Sequence, residues 1–221
     1  MKITKYAQSC LLVESGDKRI LIDPGFLEYN ESLLANDWIN IDAILVTHQH
    51  RDHCLDEAVL RIVKDSGAKL YSSREVASAH PDLAPEIVKK EEVIEIGDIK
   101  VEVVNAVHGY LPHLKERGIV VAENIGFILD DGETRLYHTS DCIGFDNSYK
   151  CDIIAVPVNN HGVCFDPFSA AAFAKETDAK LVIPVHYDNP ALPADMDEVK
   201  KQFDAKELNY KILEIGESVE V

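Results

Sequence analysis

Hydrophobic residues along the chain fall into short runs, most of them too brief for helices and closed by polar or turn-forming residues. Lys2 to Ala7, Cys10 to Glu14 and Lys18 to Ile22 read as three strands, with a tight turn at Ser15-Gly16-Asp17 joining the last two. The apolar, partly β-branched run Ile41 to Val46 reads as a buried strand. Leu55, Ala58, Val59, Ile62 and Val63 then recur at helical spacing, and Gly67 supplies a C-terminal stop. Lys69 to Ser72 is a further strand, after which Ser73 caps a short helix through Ala79. Val93 to Ile96 and Ile99 to Val107 form a hairpin around Gly97-Asp98, and Ile125 to Leu129 and Thr134 to His138 form another. Asp152 to Val158 and Lys180 to Val185 are strands on either side of a helix that Pro167 opens and that runs from Phe168 to Thr177. A helix from about Met196 to Phe203 and strands near Tyr210 to Glu214 and Ser218 to Val221 close the chain. Glu31 to Trp38 suits a short helix, and the segment from Gly109 to Asn124 has no clear period.

Two strand-rich halves with helices between them suit two packed sheets covered by helices. No repeat, low-complexity tract or linker interrupts the pattern, so residues 1–221 read as one domain. A hydrophobic content of 46% supplies a core of ordinary size. No apolar segment follows Met1 and no long apolar run occurs, which points to the cytoplasm and away from a membrane. The formal charge of −17 repels phosphate backbones, so a small-molecule substrate is expected and no nucleic acid. Homo-oligomer formation is compatible with everything above. Five cysteines without a CxxC pair read as free buried thiols, including Cys54 and Cys142, which adjoin candidate ligands but read as packing residues.

The densest chemistry lies in Thr47-His48-Gln49-His50-Arg51-Asp52-His53, where a buried strand turns into a helix. His48 and His50 are two apart, so in extended chain they point to one side and can converge on one ion. Asp52 and His53 lie where the chain turns and can face a second point nearby. Imidazole with carboxylate is a ligand set for zinc, iron or manganese. One ion cannot readily take all four from so short a segment; two adjacent ions can, if later segments supply the rest.

This pattern, His48-x-His50-x-Asp52-His53, resembles the signature of the metallo-β-lactamase-fold superfamily. Three later positions match that family's order: His108 in Val107-His108-Gly109, Asp141 after Tyr137 to Ser140, and His186 in Ile183-Pro184-Val185-His186-Tyr187. The opening Ile20 to Gly25, with Asp23, is similar to the family's early strand. The resemblance spans nearly the whole chain and implies an α+β fold, a four-layer αββα sandwich with a one- or two-metal site at one edge. It further implies that Asp23 holds the loop beside the metals. Gln8 departs from the pattern, since the relatives most like this chain often carry a histidine there. The small hydrolases grouped near L-ascorbate-6-phosphate lactonase share the Ser9-Cys10 opening and the stretch from Val182 to Tyr187.

On this resemblance, His48, His50 and His108 hold one ion, Asp52, His53 and His186 hold a second, and Asp141 lies between. Two divalent cations are implied, zinc foremost, with manganese, iron or nickel accepted by the same ligands. A water shared by two cations is acidic enough to give hydroxide at neutral pH, and Asp52 is the candidate proton acceptor. His161, in the polar run Asn159 to Gly162, is the candidate substrate contact, by its position after a strand. His113 reads as a solvent-exposed loop histidine, and His80 as surface or capping. The expected activity is metal-dependent hydrolysis of a lactone, phosphoester, thioester or amide in a small cytosolic metabolite. A nuclease or RNA-processing enzyme of the same fold, and a metal-binding member without hydrolase activity, are the competing readings.

Overall fold

Alternate residues of most strands are buried on opposite faces, and this creates three apolar surfaces rather than one. The computed structural model describes residues 1–27, 30–145, 149–159 and 161–221, and the side chain of Glu31 is likewise left aside. Asn160, in the polar run singled out above, lies outside the described residues.

The first sheet begins with β1 (Lys2–Lys5), β2 (Leu11–Ser15), β3 (Lys18–Ile22), β4 (Ala43–Val46), β5 (Lys69–Ser72) and β6 (Glu86–Ile87). The second holds β7 (Val93–Ile96), β8 (Ile99–Asn105), β9 (Ile125–Asp130), β10 (Arg135–His138), β11 (Ile153–Pro157) and β12 (Leu181–Val185). The last strand, β13 (Ser218–Glu220), returns to the first sheet beside β1. The spatial orders are β13-β1-β2-β3-β4-β5-β6 and β12-β11-β10-β9-β8-β7.

Leu11, Val13, Ile20, Ile22 and Leu45 point inward and meet Val101, Val103, Phe127, Leu129, Ile153 and Ile183 of the opposite sheet. Their strand neighbours Leu12, Leu21, Ile44 and Val46 point outward, under α1 (Glu31–Asn36), α2 (Asp56–Ser66) and α3 (Arg74–Ala79). A one-turn helix, α4 (Pro112–Lys115), lies in the long loop after β8. Beyond the second sheet, Ile128, Tyr137, Ile154 and Val182 are covered by α5 (Pro167–Glu176) and α6 (Met196–Ala205) through Phe173, Val199 and Phe203. The result is the expected αββα sandwich. Strands buried on both faces explain the near-continuous apolar runs of β4, β11 and β12. Trp38 is buried and meets Tyr6 edge-on at 5.5 Å. Among the described residues no helix is long and apolar enough to cross a membrane.

Local signals hold where caps were legible. Ser73 accepts from Val76 N, Pro167 opens α5, and Gly67 takes φ +70° at the end of α2. Two expectations shift, and one short strand was not expected. β8 ends at Asn105, so Val107 and His108 lie past the strand in a segment that exchanges a backbone bond with Ile143 instead. Tyr210 to Glu214 is not a full strand; Tyr210 makes one parallel bridge to Val182, and the chain then diverges to bury Leu213 between the sheets. β6 escapes sequence reading because it has two residues, both exposed.

Direction matters more than strand count here. β1 and β3 are each antiparallel to β2, and β4 is parallel to β3, so β1, β3 and β4 all run the same way. In the second sheet β8, β10, β11 and β12 share one direction by the same logic. Their carboxyl ends deliver the loops described next. One of those loops is held by a close approach: a Cβ at Gly25 would lie 1.9 Å from the Asp52 carbonyl oxygen. Phe26 N also donates to Arg51 O, and Leu55 N to Pro24 O. The substitution Gly25→Ala must therefore push the segment bearing Asp52 away. It is expected to cost about 1–3 kcal/mol of stability, read as a lowered melting temperature; unchanged melting would contradict the close approach.

Candidate metal centre

The predicted ligands follow strand ends: His48 lies two residues after β4 with His50, Asp52 and His53 next in the same loop, His108 three after β8, Asp141 three after β10, and His186 directly after β12. Asp23, the expected support of that loop, comes directly after β3. The seven side chains proposed from the sequence fall into one cluster. His48, His50 and His108 form one trio, Asp52, His53 and His186 a second, and His48, His53 and Asp141 a third that overlaps both; within each, ligand atoms lie within 4.8 Å of one another. His48 Nε2 faces His50 Nδ1 at 3.1 Å, and the rings of His48, His50 and His108 lie 4.7–4.8 Å apart. Asp141 reaches both halves: its Oδ1 is 3.5 Å from His53 Nε2, and its Oδ2 is 3.2 Å from His186 Nε2 and 3.8 Å from His108 Nε2. Asp52 Oδ2 lies 3.3 Å from His186 Nε2 and 3.9 Å from His53 Nε2.

A further set of contacts orients these groups. Asp23 is buried and accepts from Thr47 N and Thr47 Oγ1, each at 2.8 Å, and from His53 Nδ1 at 2.8 Å. With the Thr47 hydroxyl proton given to Asp23, its oxygen is free to accept from His48 Nδ1 at 3.1 Å. His108 Nδ1 donates to Gly109 O. These bonds fix the tautomers so that the Nε2 atoms of His48, His53 and His108 face inward, as imidazole ligands require. Asn124 Nδ2 donates to Asp141 O, and Ser140 Oγ donates to Asn124 Oδ1. Gln8, Asp23, Ser140 and His186 all take left-handed backbone angles, with φ between +51° and +61°. Each such angle costs about 1 kcal/mol or more, and such residues concentrate at functional sites.

The cluster lacks partners in the places a cation would fill. His53 Nε2, His108 Nε2 and Asp141 Oδ1 are shielded from solvent and make no hydrogen bond. Leaving a buried polar atom unpaired is costly, and three such atoms converging in one cluster fit a group that accepts lone pairs. The donor set of five imidazoles and two carboxylates fits divalent cations.

Charge in the cluster is balanced in two ways. Burial and the nearby His53 hold His48 neutral, and burial with His108 lowers His50 to about 4. These rings offer lone pairs at neutral pH. His53 and His186 behave oppositely: burial alone would lower them, but Asp141 and other carboxylates outweigh it and raise both, His186 to about 9. Burial alone would raise Asp52 and Asp141, but His53 and His186 hold both below the usual carboxylate range. Without cations, protons on His53 and His186 therefore neutralise the carboxylates.

The remaining candidates separate. His161 is half-buried, its ring 5.8 Å from that of His186, and its Nε2 is shielded without a hydrogen-bond partner. His113 is exposed on α4. His138 is buried and its Nε2–H donates to Ser9 O, a packing role. Cys142 is buried in the core beside α5. His80 differs from its surface reading, because its ring joins Asp56 Oδ1 at 2.6 Å to Gln49 O at 3.0 Å and so braces the loop between His48 and His50. Cys54, Asp56 and His80 also form a compact trio, but both His80 nitrogens are already engaged. Cys164 was missed: it groups with Asp141 and His186 and is buried, its thiol pushed up by burial and its Sγ donating to Asn159 O. The one available signal was that Cys164, like His161, follows the carboxyl end of β11.

Comparison with known proteins agrees with this architecture. Residues 2–186 match the family described as the beta-lactamase superfamily domain. A UPF0173 metal-dependent hydrolase of Christiangramia forsetii is 31% identical over 241 residues, with 100% of both chains covered. Among solved structures, a metallo hydrolase from the archaeon Ignicoccus hospitalis has a TM-score of 0.76 at 23% identity, covering 99% of this chain and 97% of its own. The metallo-beta-lactamase fold protein YhfI of Bacillus subtilis has a TM-score of 0.79 at 19% identity, covering 99% and 98%. The family match over residues 2–186 and a full-length relative named for metal-dependent hydrolysis lead to one assignment: this chain belongs to the metal-dependent hydrolases of the beta-lactamase superfamily.

Proposed function

We propose that this enzyme uses two divalent cations, zinc foremost, to hydrolyse a small cytosolic metabolite through its lactone, phosphoester, thioester or amide bond. The observation that carries the reading is Asp141, whose two oxygens face histidines of both trios and whose Oδ1 is buried without a partner. A carboxylate placed between two ligand sets could be shared by two neighbouring cations. His48, His50 and His108 would hold one cation, and Asp52, His53 and His186 the other. When bound, the cations supply an acidified water and polarise the bond under attack.

The chain's own residues divide the remaining work. Asp23 and Thr47 fix the tautomers of His53 and His48, so that both present Nε2. Asp52 is the more accessible carboxylate, its side chain 22% exposed against 2% for Asp141, and is assigned to accept the proton released on attack. His161 is held below its ordinary value by burial and by His186, so its ring is neutral. A neutral ring with a shielded Nε2 suits a contact to an oxygen of the substrate. The lactonase-like substrate belongs with these expectations.

Metal content of the purified chain, followed by a screen of the four bond classes after reconstitution, tests the reading. Two cations per chain with turnover in one class are expected; one or none, with no turnover, would overturn it. His50→Ala is expected to lower turnover by more than about 100-fold, beyond the loss typical of an outer contact, and to strip metal in parallel. A variant that keeps two cations would contradict the ligand assignment.

The proton balance gives an independent prediction. His186 binds its proton up to about pH 9 in the metal-free fold, above the ordinary 6.5 of an exposed histidine. A raised value stabilises the fold fully below pH 6.5, and that contribution is lost as pH rises through 9. The metal-free chain is therefore expected to lose roughly 3 kcal/mol at most across this window. The zinc-loaded chain, whose cations replace the protons, is expected to show no such loss. Chemical denaturation at a series of pH values reads both, and equal pH dependence with and without zinc would contradict the exchange.

A further inference from the structure

Gln8 lies outside the ligand pattern, yet it is fully buried and its side chain enters the cluster. Its carboxamide nitrogen is 3.2 Å from Asp52 Oδ2. The same nitrogen is 3.1 and 3.3 Å from the two ring nitrogens of His186. A point nearly equidistant from both ring nitrogens, at that range, lies over the imidazole face rather than in its plane. Asp52 is therefore the acceptor that the amide addresses, and His186 is the surface on which it rests. Gln8 Oε1 is buried without a partner, so the amide is not placed to satisfy itself.

The backbone holds this position against its own preference. Gln8 takes φ +57°, in the left-handed region. Its N–H donates to Asp188 Oδ1 at 2.6 Å, and its carbonyl accepts from His186 N at 3.0 Å. The other oxygen of Asp188 accepts from Lys5 Nζ at 2.5 Å. That ammonium is shielded completely, donates also to Tyr6 O and lies 4.4 Å over the Tyr187 ring. Lys5 belongs to β1 and Asp188 follows β12, so the ion pair staples the end of one sheet to the His186 loop of the other. A buried pair is costly to desolvate and is weak evidence for stability by itself. Here it fixes the two left-handed residues, Gln8 and His186, against each other.

We propose that Gln8 is a positioning residue for Asp52, aimed by the Lys5–Asp188 clamp; this rests on the two-cation reading above. A neutral donor fixes the rotation of the Asp52 carboxylate without adding charge to a site already rich in it. The role concerns the half of the site formed by Asp52, His53 and His186, not the half formed by His48, His50 and His108.

Stepwise zinc affinities of the full chain, measured by competition with a chromophoric chelator, test the assignment. Gln8→Met keeps the length of the side chain and removes the donor. It is expected to weaken one zinc ion by about 10- to 100-fold, the usual effect of losing an outer hydrogen bond to a ligand, and to leave the other unchanged. Gln8→His, which restores an N–H donor, is expected to recover much of that loss. The double variant Lys5→Met/Asp188→Asn removes the clamp without orphaning a buried charge, and should weaken the same zinc ion. Cobalt substitution supplies a second readout, since the absorption bands of one site should change and those of the other persist. Equal weakening of both ions together with a lower melting temperature of the metal-free chain would overturn the proposal in favour of simple packing. Unchanged affinities for both would overturn it as well. A wild-type chain that binds fewer than two zinc ions would overturn the two-cation reading, and this assignment with it.

Discussion

Asp23 carries a buried carboxylate that three donors hold: the backbone and hydroxyl of Thr47 and the Nδ1–H of His53. Burying a carboxyl group is costly unless its oxygens are hydrogen-bonded, and here each is. Through Thr47 the same hydrogen-bond chain reaches His48, and through His53 it reaches the centre of the cluster. One interaction thus sets the tautomers of two imidazoles on opposite halves of the site. It also stitches β3 to β4, since Asp23 follows one strand and Thr47 the other. The left-handed angle at Asp23 is the local cost of turning that carboxylate inward.

The fold makes this arrangement affordable by shared strand direction. β3 and β4 in the first sheet, and β8, β10, β11 and β12 in the second, send their carboxyl ends to one edge. Apolar side chains fill both faces of the central strands, which holds the sheets rigidly and keeps the edge shielded. Within that shield five imidazoles and several carboxylates must neutralise one another. Protons on His53 and His186 do so in the absence of cations, and the unpartnered atoms of His53, His108 and Asp141 mark where cations would take over.

Much of this was legible in the sequence, and the parts that were not share a cause. The clustering of His48 to His53 could be read because these side chains, the strand and the helix are contiguous, so local spacing carries the geometry. The layered fold followed from apolar runs and capping residues such as Ser73 and Gly67, whose physics is also local. Gln8, Cys164, His80 and Asn124 could not be read, because their contacts join segments far apart in the chain and their residue types are common elsewhere. Gln8 was noticed only as a departure from a familiar pattern; the distance to Asp52 explains what the departure does in space. β6 and the bridge at Tyr210 were missed or overextended because a strand of one or two pairs leaves no period to detect.

Under the proposed function Asp141 would lie between two cations, one held by each trio. Anomalous scattering at the zinc edge, from crystals of the zinc-loaded chain, tests it directly. Two peaks about 3.5–4 Å apart are expected, one against His48, His50 and His108 and the other against Asp52, His53 and His186, with Asp141 reaching both. A single peak, or a second peak at Cys54, Asp56 and His80 instead, would contradict it.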